Sequence, residues 1–150
     1  MKWATGLLIH LDGAACAWVI RRVIDPHAEF VFVVAGDEVP DDAIPFDMPG
    51  VELGRRPGPT GDECAFEAVL RHYDLPDPTL WRIAEIVHDA ELCDERYHAS
   101  EARGLRAVVD GLALVGDDAD TLAITKPMFD GLYRNFYYDE ILGVPRNRAF

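Results

Sequence analysis

The chain has 150 residues, 49% of them apolar, and a formal charge of −13 from 27 acids against 14 bases. That length predicts a single domain over residues 1–150, and apolar residues spread along the whole chain exclude a disordered polymer. The acidic surface repels phosphate backbones, which argues against a nucleic-acid binder, and no apolar run approaches the roughly 20 residues that span a bilayer.

The start, MKWATGLLIHLDG, has no small-residue cleavage pattern, so a cytoplasmic protein without a signal peptide is expected. Ala4–Ile9 reads as a strand and Ala14–Ile24 as a buried helix stopped at Asp25-Pro26. Glu29–Gly36 reads as a second strand, nearly continuous in apolar residues and so covered on both faces. This is a βαβ-like beginning, but Gly13 stands alone and no Gly-rich phosphate loop follows the first strand. Residues 36–61 are rich in Gly, Pro and Asp and read as loop, with one short strand near Val51–Leu53. A segment of that length is either a site wall or a surface excursion.

The remainder is helical. Thr60 and Glu63 are spaced as a capping box that opens a helix through Tyr73. Asp77 and Pro78 start a second helix that runs to Leu92. A third begins at Ser100, carrying Leu105, Val108, Val109 and Leu112 on one face before Gly116. A fourth begins near Asp118, bends or restarts at Pro127, and places Phe129, Leu132 and Phe136 at helical spacing. The tail GVPRNRAF is comparatively basic and is read as mobile or as a contact within a homodimer. Together these predict an α+β fold, a small sheet from the first half packed against helices from the second.

Three cysteines, Cys16, Cys64 and Cys93, form no CxxC pair, which argues against a disulfide framework and a zinc ribbon. Cys16 and Cys64 read as small buried hydrophobes, and the pair Arg21-Arg22 as cations that favour a helix C-terminus. Arg55-Arg56, in the long loop, is a weak oxyanion signal. In the Pro78–Leu92 helix, positions 80, 83, 84, 87, 88 and 91 share a face that reads Leu, Ile, Ala, Val, His, Glu. A stripe meant for burial thus ends in His88 and Glu91, and a buried carboxylate needs a partner. A metal ion is one such partner, since imidazole and carboxylate are its ordinary ligands. His10 and Asp12 raise the same question at the first strand–helix joint: His10 is a core histidine or a ligand, Asp12 an N-cap or a ligand. Glu67, on the border of its helix's apolar face, reads by itself as a solvated residue.

The segments HLDGAACAWVIRRVIDPHAEFVFV, IPFDMPGVEL, GDECAFEAVLRHYDLPDPTLWRIAEIVHDAEL and EARGLRAVVDGL follow one another through the first 112 residues. They resemble the ChrB family, specifically the chromate-resistance domain found at the C-terminus of ChrB regulators and as a stand-alone protein. The pattern departs in two places: Gly13 stands where the family has Arg, and HDAE replaces HGAD, so that Glu91 substitutes for a shorter carboxylate. DNA binding in ChrB regulators is attributed to the portion preceding this domain, and the acidic charge here accords with a chain lacking that role. The resemblance implies association with chromate or metal stress. It singles out His10, Asp12, Glu67, His88 and Glu91 as a metal set meeting between the first strand–helix joint and the helical half. Such donors suit manganese, iron or zinc, in a small metalloenzyme or oxidoreductase acting on a small molecule or metal ion. The alternative is a sensor or accessory domain in which the same groups form a buried hydrogen-bond network and the partner is a protein.

Overall fold

The computed structural model describes residues 1–143, so the basic tail beyond Gly143 lies outside the described residues. The first strand, β1 (Lys2–Gly6), is followed by helix α1 (Leu11–Val19), which widens into a π-helical turn over Ile20–Ile24. Strand β2 (Glu29–Val33) then pairs parallel to β1, with Trp3 opposite Phe30, as a βαβ unit requires. A short strand, β3 (Ala43–Pro45), pairs parallel on the other side of β1 with Trp3 opposite Ile44. The sheet order is therefore β2-β1-β3, with β1 in the centre. The α+β architecture follows from the sequence pattern, but several boundaries differ from it.

The first strand ends at Gly6 rather than Ile9. Leu7 and Leu8 are exposed, Leu8 takes a left-handed conformation (φ 61°), and only Ile9 of the apolar run is buried. The Asp118 carboxylate fixes this reversal, accepting from the amides of Leu8 at 3.1 Å and Ile9 at 2.8 Å. The helix consequently starts three residues earlier than its apolar run implies, and all nine residues of α1 are buried. Its small residues, Gly13, Ala14, Ala15, Cys16 and Ala17, let helices and sheet approach from every side. β2 is shorter than expected and only Val33 in it is fully buried, because β2 is an edge strand.

Within residues 36–61 no strand forms at Val51–Leu53; Leu53 makes a single parallel bridge to Phe46. The hairpin β4 (Arg56–Gly58) and β5 (Gly61–Glu63) takes up the rest, with Pro59 and Thr60 at its tip. Thr60 is therefore no helix cap, and Glu63 is turned to accept a hydrogen bond from Arg71. The next helix, α2 (Ala65–His72), is capped one turn later, at Cys64.

Helix α3 (Pro78–Leu92) has the expected bounds, with the Asp77 carboxylate accepting from Thr79 N at 2.8 Å. Helix α4 (Ala102–Val115) buries only Ala102 and Val109; Val108 faces outward. Helix α5 (Asp118–Phe136) runs through Pro127 without restarting, its buried face anchored by Phe129 stacked on Trp18 at 5.4 Å. Packing against α1, α3 and α4 outweighs the one backbone bond that proline removes. Among the described residues, no helix is long and apolar enough to cross a membrane.

Candidate metal centre

His10 occupies the N-cap position of α1 in extended backbone, yet its side chain caps nothing. It is 68% exposed, with Nδ1 3.6 Å from an Asp110 carboxylate oxygen, so it is not a core histidine. Asp12, two residues further on, is buried and serves a different helix. Its Oδ2 accepts from Ala65 N and its Oδ1 from Phe66 N, both at 2.8 Å, closing the first turn of α2 from 53 residues away. The reason is local to α2. Its N-cap is Cys64, and a thiol is a weak acceptor, so its first amides need another oxygen.

Glu67 sits three residues after Cys64, and its Oε2 accepts from Cys64 N at 2.9 Å, the reciprocal half of a capping box. That bond turns Glu67 inward, so it is buried rather than solvated as its sequence context implies. The same Oε2 lies 2.8 Å from Nδ1 of His88, which is 0% exposed. On the opposite edge, His88 Nε2 lies 2.9 Å from Asp94 Oδ2. Tyr97 completes the enclosure, its ring edge-on to the imidazole at 5.1 Å and its hydroxyl donating to Glu67 Oε1 at 3.5 Å.

A neutral imidazole has one N–H, so carboxylates at both ring nitrogens leave one contact oxygen against lone pair. The arrangement is satisfied by a second ring proton or by a cation in its place. Despite partial desolvation, the hydrogen bond from His88 and the Arg96 amide hold Asp94 below the usual carboxylate range. Ligand atoms of Cys64, Glu67 and His88 all lie within 4.8 Å of one another, as do those of His88, Asp89 and Asp94. Burial, then the charges of Asp12 and Glu67, push the Cys64 thiol well above its ordinary value, so it is protonated unless a cation displaces the proton.

Glu91 does not join His88. It is exposed and looks into a cleft of about 590 Å³ that it shares with His10, Asp47, Arg55 and Arg56. The 36–61 segment forms one wall of this cleft. Asp47 has left-handed backbone (φ 49°) and its Oδ2 occupies the space above Gly13, where a Cβ would stand 2.5 Å from it. A side chain at position 13 would therefore require the Asp47 and Ile9 side chains to move. Burial, with the charges of Asp12 and Glu91, raises the Asp47 carboxyl to about 9. Burial and Glu91 raise Asp12 to about 7 against the pull of its two amide bonds.

The five residues singled out from the sequence therefore occupy one polar seam but not one shell. Glu67 and His88 are in contact, Asp12 interacts electrostatically with Glu67 and Glu91, and His10 and Glu91 line the open cleft. Three further participants lie outside that set of five. Cys64 was legible through the C-x-x-E spacing of CAFE, had cysteine been admitted as a cap. Asp47 and Asp94 lie in loops and carry no periodic signal.

Asp47 gives a direct electrostatic test. Its folded pKa, about 9, stands above its ordinary 3.8, so its contribution to stability is fully present below pH 4 and lost as pH rises towards 9. Asp47→Asn removes that loss, and at pH 8 the metal-free variant is expected to exceed the wild type by about 1–3 kcal/mol. The gain should shrink towards pH 4 in urea titrations across that range; an equal gain at both ends would contradict the assignment.

A small parallel sheet, an entirely buried small-residue helix and an interior imidazole–carboxylate seam define an α+β domain with polar groups at its centre. The family described as "ChrB, C-terminal domain" matches residues 3–136. Protein ChrB of Cupriavidus metallidurans is 36% identical over 138 residues, which covers 90% of this chain and 40% of that protein. The chain belongs to the ChrB C-terminal domain family. It spans about 40% of the length of that relative. No solved structure matches it.

Proposed function

We propose that this domain binds one first-row divalent transition-metal ion through Cys64, Glu67 and His88, as the metal-handling part of a chromate-resistance protein. The observation that carries this reading is the fully buried His88 held between two carboxylates, with a buried thiol beside the same glutamate. A thiol, an imidazole and a carboxylate form a borderline-soft set, which favours zinc or iron over manganese. An ion there offsets the desolvation of Glu67 and replaces the protons on Cys64 and on one edge of His88, so affinity rises with pH. Such an ion would supply Lewis-acid or redox chemistry. The chain's own residues would orient the ligands, with Glu67 fixed by Cys64 N and Tyr97, and exclude water around His88. An oxidoreductase or other metalloenzyme follows if the neighbouring cleft admits substrate. The three free cysteines favour a reducing compartment, the cytoplasm.

A second reading is a non-catalytic sensor or accessory domain. It draws on Asp94, whose carboxylate lies against His88 Nε2 and would pair with a doubly protonated ring, and on the exposed Leu114 and Val115 at the end of α4, an apolar surface for a protein partner. Elemental analysis of the purified chain, followed by titration of the chelator-treated protein with zinc and ferrous ion, separates the two. About one equivalent of metal, lost in both Cys64→Ser and His88→Ala, is expected. A metal-free wild type whose melting temperature is unmoved by either ion overturns the metal reading.

A further inference from the structure

On the opposite side of α1 from the His88 network, a cavity of about 200 Å³ opens between α1, β2 and α5. We propose that it binds a small aromatic carboxylate. Its floor is apolar: Ala14 and Ala17 of α1, Phe30 of β2 and Leu122 of α5, with Trp18 beside them. Its rim is cationic, carrying Arg21, Arg22 and Lys126 against one acid, Asp130. Three positive charges less one negative leave a net +2 around this opening, on a chain whose formal charge is −13.

The single acid is already shared. Asp130 accepts from Trp18 Nε1 at 2.9 Å, Lys126 Nζ at 2.8 Å and Arg22 Nη1 at 3.3 Å, which leaves it little capacity for Arg21. Arg21 instead donates to the Ala28 carbonyl at 2.9 Å and stacks 4.7 Å over Phe30. Among the described residues, no carboxylate lies within ion-pair distance of it. Arg22 is likewise braced, 4.3 Å over the Tyr133 ring. The guanidinium groups are thus pre-ordered by aromatic faces, which lowers the entropy lost when an anion docks.

Both halves of the cavity constrain the ligand. An inorganic oxyanion would be desolvated against hydrocarbon, and a neutral ring would leave the excess positive charge without a counter-ion. A ligand with a flat apolar body and one carboxylate satisfies both. Size agrees, because a cavity of about 150 Å³ lined by apolar side chains already accepts benzene.

Benzoate is the probe, titrated into the 150-residue chain by calorimetry, with benzyl alcohol and sulfate as the ring-only and anion-only controls. Benzoate is expected to bind at least about tenfold more tightly than either control, the difference one charge-assisted bidentate contact makes. Arg21→Gln should weaken benzoate by about tenfold and leave benzyl alcohol unchanged. Leu122→Phe, which fills the floor, should abolish benzoate binding while leaving metal content as in the wild type. Sulfate binding as tightly as benzoate, or benzoate binding that survives both substitutions, overturns the proposal. Absence of benzoate binding at millimolar concentration overturns it too. Because no metal ligand lines this cavity, either result leaves the metal reading intact.

Discussion

His88→Ala is expected to lower the stability of the metal-free protein by about 3–5 kcal/mol, the largest effect of any single substitution considered. Two losses add. The ring is fully enclosed, so its removal leaves a void among α2, α3 and the loop that carries Asp94 and Tyr97. It also strips Glu67 of its one cationic or N–H partner from a side chain, leaving a buried carboxylate held by Cys64 N and a long contact from Tyr97. His88→Gln restores part of the volume and one donor, and is expected to recover about half of the loss. Urea unfolding at pH 7, monitored by far-UV circular dichroism, reads both. For a domain of this size the alanine variant should melt roughly 6–20 °C lower. A loss under about 1 kcal/mol, the level of an ordinary surface change, would mean that the seam is hydrated and flexible rather than packed.

Asp12→Ala comes next, at about 2–3 kcal/mol near pH 5, because the Ala65 and Phe66 amides lose their acceptor where no water replaces it. The pH dependence separates this role from simple packing. The folded pKa of Asp12, about 7, is raised above its ordinary 3.8 by burial and by Glu91. A raised carboxyl binds its proton more tightly in the folded state. Its contribution is therefore complete below pH 4 and declines as pH climbs through 7. Asp12→Asn cannot ionise and lacks that decline. The asparagine variant should accordingly gain on the wild type as pH rises from 4 to 8, as the wild type loses stability and the variant does not. Parallel stability curves over that range would show that Asp12 carries no such shift. A cation that settles near these carboxylates would reverse the slope in the wild type, so the series is best run with and without zinc.

The local signals were the reliable ones. Asp77, Pro78 and the spacing of Leu80, Ile83 and Val87 delimit α3 at both ends, since a cap and a periodic apolar face act within a few residues of each other. Asp25-Pro26 stops the first helix because the proline holds its predecessor extended, here at φ −142°. Where a distant group intervenes, the structure departs from the local pattern. The strand at Ala4–Ile9 lost its end to Asp118, more than a hundred residues away, and the cap of α2 moved from Thr60 to Cys64 once the β4–β5 hairpin claimed the earlier residues.

The candidate site divides in the same way. Alone, the sequence determined that imidazole and carboxylate groups sit where apolar segments meet, and its motifs placed the chain in its family. Only the tertiary structure decided which of them touch. Glu67 and His88 are brought together by the packing of α2 on α3, while Glu91, one turn further along the same helix, is left facing the cleft. Helical periodicity fixes the direction of a side chain about its own axis but carries no information about what the neighbouring element presents there. That choice belongs to the packing of α2 and α3 around α1, and it made Asp12 a cap, Glu67 a partner and His10 a surface residue.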